Sequence, residues 1–62
     1  MSTNKTQKIL DEALSMLEQA ATDYWGMAGT LQNYGLKASA KEAEETATHI
    51  ASFLSRAGRE LA

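Results

Sequence analysis

From residue 10 onward, apolar side chains return at alternating intervals of four and three: Leu10, Leu14, Leu17, Ala21, Tyr24, Ala28, Leu31. A second series runs Ala40, Ala43, Ala47, Ile50, Leu54, Ala57, Leu61, with intervals of three and four. Read backwards, the second series has the spacing of the first. Two helices whose stripes match in reverse form an antiparallel coiled-coil seam. The matched layers are Leu31 with Ala40, Ala28 with Ala43, Tyr24 with Ala47, Ala21 with Ile50, Leu17 with Leu54, Leu14 with Ala57 and Leu10 with Leu61. Most layers set a large residue against a small one, which keeps the summed volume even. The layer Ala28–Ala43 is small on both sides and predicts a close approach of the helices there.

Between the stripes stands Gly35, a residue that adopts the left-handed conformation at a helix C-terminus without a Cβ clash. Leu31 and Leu36 then occupy the two positions that a Schellman turn brings together. Upstream, Asn4 with Gln7 reads as a capping box, with Ser2 or Thr3 as alternative caps. Downstream, Ser39-Ala40-Lys41-Glu42 reads as a second capping box. The expectation is an all-α antiparallel two-helix hairpin in a single unit spanning 1–62. Helix 1 covers about 5–34, the turn 35–39 and helix 2 about 40–60.

The seam does not use all the apolar residues. Ile9, Ala13, Met16, Ala20 and Met27 make a further stripe on one flank of helix 1, and Phe53 with Thr46 lies on the matching flank of helix 2. The opposite flank carries Asp11, Glu18 and Glu44. A single hairpin leaves the apolar flank wet. Two hairpins face to face bury it and form a four-helix bundle. The expected state is therefore a homodimer, with Ile9, Ala13, Met16, Ala20, Met27 and Phe53 at the dimer or partner interface.

Composition strengthens this reading. A chain of 62 residues buries only about 60% of its unfolded surface and is marginal alone. The sequence has no Cys and one His, so neither disulfides nor thiolate metal sites are available, and packing and association remain. The absence of Pro and Val, with abundant Ala, Leu, Glu and Lys, favours helix over strand. No apolar run is long enough for a membrane span or a secretory segment, and the expected compartment is the cytoplasm of the producing cell or its host. The net charge of −2 gives no global attraction to nucleic acid or anionic lipid.

Candidate chemistry is sparse. Glu45 and His49 are one helical turn apart and suit a solvated pair better than a metal site. No G-x-S-x-G, P-loop, H-E-x-x-H or Rossmann glycine pattern occurs, so no enzyme, metal or cofactor is expected. Trp25 stands on the otherwise acidic flank beside Gly26 and near Gly29. With Tyr34 these residues are a candidate partner patch, since Trp is favoured at binding hot spots. The alternative is that Trp25 folds over Ala43 and Ala47 as a lid. Gly26 and Gly29 each weaken a helix by about 1 kcal/mol relative to Ala. Either another backbone comes close there or helix 1 is locally weakened.

Basic residues occur in pairs. Antiparallel folding brings Lys5 and Lys8 to the same end as Arg56 and Arg59. The length, the hairpin and the inferred dimer resemble the Rop-type RNA-binding four-helix bundles in architecture, without a shared residue motif. The resemblance implies RNA binding as a possible activity, and those four cations are the candidate RNA contacts. The function expected first is a non-enzymatic protein–protein interaction or regulatory protein, of the adaptor or phage- or plasmid-encoded inhibitor type, acting as a helical homodimer on another protein. The alternatives are the RNA-binding bundle and a small subunit that docks its apolar face on a larger complex.

Overall fold

The structure, a computed structural model, describes residues 2–61, and the side chains of residues 4–60. Two helices make up the described chain: α1 (Ser2–Asn33) and α2 (Lys37–Leu61). They pack against each other as a hairpin, in a rod with extents of 51 × 17 × 11 Å.

Burial follows the heptads. Every seam position with a described side chain is buried or half-buried, and Ala20 is the one further described residue that is not exposed. The layer Leu10–Leu61 lies partly outside the described residues, because the Leu61 side chain is not among them. The buried members are all alanines: Ala21, Ala28, Ala40, Ala43 and Ala47. Ala47, with no surface left exposed, is the most enclosed of them. The seam leucines are only half-buried, so the hairpin removes methyl groups from water and leaves the larger side chains at its edges.

The turn forms as the sequence requires. Gly35 has φ of +79°. The Leu36 amide donates to the Leu31 carbonyl at 2.9 Å and the Gly35 amide to the Gln32 carbonyl at 3.0 Å. These two bonds define the Schellman motif and occupy carbonyls that the helix end would otherwise leave open. The Tyr34 amide is shared between Thr30 and Leu31 carbonyls, each at 3.2 Å. Leu36 itself stays half exposed.

Both helix starts differ from the sequence expectation. Helix 2 begins at Lys37, and Ser39 sits inside its first turn instead of capping it. The reason is the Schellman turn: it delivers Leu36 already placed so that its carbonyl accepts from the Ala40 amide at 3.0 Å. The helix therefore starts as soon as the first one closes, and the turn is Tyr34–Leu36, shorter than 35–39. At the other end α1 already runs through Asn4. Gln7 is consequently free of a capping role and donates to Asp11 Oδ1 at 3.1 Å. The side chains of the alternative caps Ser2 and Thr3 lie outside the described residues.

Because the hinge depends on a left-handed residue, Gly35→Ala is expected to destabilise the hairpin by about 1–2 kcal/mol. Urea denaturation followed by circular dichroism measures it. An unchanged midpoint would show that the turn tolerates a Cβ.

Candidate protein interaction surface

One flank of the hairpin is apolar and open. A helix repeats every 3.6 residues, so Ile9, Ala13, Met16, Ala20 and Met27 fall on one side of α1. Of these, Met16 is 72% exposed, Ile9 66% and Met27 49%. Phe53 stands on the same flank of α2 and is 43% exposed. Beside it lies an open groove of about 590 Å³ lined by Leu17, Glu45, Thr46, His49, Ile50 and Phe53. Thr46 is the smallest side chain along this groove. The Thr46 hydroxyl is turned back to the Glu42 carbonyl at 3.0 Å, which presents its methyl group outward from that bond.

Phe53 is held from one side. The Arg56 guanidinium carbon lies 5.8 Å from the ring centroid, within cation–π range. This contact was not evident from composition; the i, i+3 spacing of an aromatic and an Arg was the available signal. It also ties one of the four candidate RNA-contacting cations to the apolar flank. Lys5, Lys8, Arg56 and Arg59 all lie on the half of the hairpin remote from the turn, as antiparallel folding dictates.

The second candidate patch is only partly brought together. Trp25 is 47% exposed, an intermediate between a free ring and a lid over Ala43 and Ala47. Tyr34 lies in the turn and is largely exposed. Nine residues separate it from Trp25, about two and a half helical turns, which places them on opposite sides of the helix end. Helix α1 is continuous through Gly26 and Gly29. A Cβ at either glycine meets nothing within 4 Å, so no backbone of this chain approaches them. The Thr30 hydroxyl donates to the Gly26 carbonyl at 3.2 Å, a local support at the weakest stretch of the helix.

Among the described residues, no three His, Asp or Glu side chains gather to hold a metal ion. None of the described helices is long and apolar enough to cross a membrane. The chain matches no protein-family model, no curated protein and no solved structure at a significant level.

The open space at the glycines yields a direct expectation. Gly26→Ala and Gly29→Ala should each stabilise the protein by about 1 kcal/mol, read from thermal or urea melts. A loss of stability at either position would mean that another chain packs against that glycine.

Proposed function

We propose that this chain is a non-enzymatic interaction protein that works as a helical homodimer, two hairpins forming a four-helix bundle that binds and regulates another protein. The observation that carries the reading is the mismatch between the hairpin's surface and its size. Its accessible surface is 5068 Å². A compact monomer of this mass exposes about 3,900 Å², so roughly 1,200 Å² is in excess. A standard interface buries about 800 Å² per partner, so one self-association covers about two thirds of the surplus. The radius of gyration tells the same story, at 14.8 Å where a compact chain of this length has about 11 Å.

The exposed Ile9, Met16, Met27 and Phe53 share one flank, which supports association there. In the bundle this flank becomes the core. The acidic flank with Asp11, Glu18, Glu44 and the half-exposed Trp25 then remains on the outside for the regulated protein. A ring half covered by its own helices is a preorganised hot spot, since little side-chain freedom is lost when it is capped.

Sedimentation equilibrium at micromolar concentration tests the reading, with a dimer mass expected. Met16→Glu puts a charge into the interface and should weaken association about tenfold or more. A folded monomer across that range would reject the homodimer. Retention of nucleic acid that is lost with salt, and lost on replacing Lys5, Lys8, Arg56 and Arg59, would transfer the assignment to RNA binding.

A further inference from the structure

The apolar stripe on α1 has an internal symmetry that decides how a second copy sits on it. Its large residues lie towards the two ends and at the middle: Ile9, Met16 and Met27, with Ala13 and Ala20 between them. Turned end for end, the stripe fits itself. Ile9 comes over Met27, and Met16 comes over Ala20, large on small at the centre. Asp23 comes opposite Ala13 at the outer edge of the stripe, where it remains exposed. No comparable match exists for α1 laid over α2 in a same-direction stack. In that arrangement Ile9 meets only the end of α2, and Met27 falls at the level of Glu42 and Thr46.

Resting on the homodimer reading above, we propose that two copies pack face to face and head to tail about a twofold axis that lies in the interface and crosses the helices at right angles, with α1 against α1. A C2 contact of this kind is isologous, so each pairing occurs twice. The groove beside Phe53 runs from the level of Leu17 towards the turn, and its Phe53 end lies near the axis. Each groove therefore faces the Phe53 side of the other copy, and the two rings close the centre of the interface.

Charge supports the same direction. The half remote from the turn carries Lys5, Lys8, Arg56 and Arg59 against Asp11, Glu12 and Glu60, a net cationic set, whereas the turn half carries Glu18, Asp23, Glu42, Glu44 and Glu45 against Lys37 and Lys41, a net acidic set. Head-to-tail packing sets the net cationic half of each copy beside the net acidic half of the other. Same-direction packing would set the two acidic halves together, and like charges brought together disfavour an interface. The Arg56 contact with Phe53 places one of these cations at the margin of the apolar flank, where the copies meet.

The chain has no Cys, so single introduced thiols report the arrangement without background. Ile9→Cys and Met27→Cys proteins, each first confirmed as a dimer by sedimentation, are mixed, refolded together and oxidised. The expected main product is the disulfide-linked pair of one Ile9→Cys chain and one Met27→Cys chain. Each protein oxidised alone stays unlinked, since like positions lie about 27 Å apart along α1 and a disulfide needs Cα atoms within about 7 Å. Met16→Cys with Ala20→Cys reports the same register at the centre, should either end variant fail to associate. Linkage of Met16→Cys to Phe53→Cys instead, or a dimer in which neither expected pair links, overturns the head-to-tail arrangement and leaves the homodimer standing. A monomeric unmodified chain overturns both.

Discussion

The closing contact between the two helices is made of alanine. Ala21, Ala28, Ala40, Ala43 and Ala47 are the buried apolar side chains among the described residues, and each contributes a single methyl group. Small side chains let helix axes come to the near end of their usual spacing, which joins the hairpin firmly along a narrow line. The same choice denies it a core. Leu10, Leu14, Leu17, Leu31, Ile50 and Leu54 flank that line and remain half in water. Protein interiors owe their stability to close packing on all sides of large apolar groups, and two helices offer only one side. The open flank with Met16 and Phe53, the excess surface and the groove beside Phe53 all follow from that constraint. The proposed second layer of helices would meet it.

At every seam position with a described side chain, burial follows the sequence reading, because a heptad is a geometric statement. Once a stripe recurs at three and four, helix period alone fixes which residues face the partner helix. The turn was legible for a related reason: Gly35 supplies a φ that other residues resist, and Leu31 and Leu36 bracket it at the required distance. The start of α2 was misread because two local signals competed. Ser39 to Glu42 carries the chemistry of a cap, but the Schellman bonds fix Leu36 first, and a helix begins where its first carbonyl is placed. Short polar caps are weaker than a turn already closed by two backbone bonds.

The surfaces were legible in part. The exposure of Ile9, Met16, Met27 and Phe53 follows from their flank positions. The groove beside Phe53 does not, since it is a space between residues, and periodicity records presence and not volume. The Trp25 patch joins residues that are both exposed. Spacing along the chain put Tyr34 near it, but half a helical turn of rotation separates them, and Trp25 is left with the glycines as its neighbours in sequence. The hairpin is thus sided, with one flank apolar and the other acidic and bearing one large aromatic.

The central claim is that the hairpin is completed by association. Its most direct test is the thermal unfolding midpoint, followed by circular dichroism, over a hundredfold range of protein concentration. Folding coupled to dimer formation predicts a midpoint that rises steadily with concentration, because the dimer dissociates as it unfolds. A midpoint that stays constant over the range, with full helicity at the lowest concentration, would contradict it and show that the alanine seam is sufficient by itself.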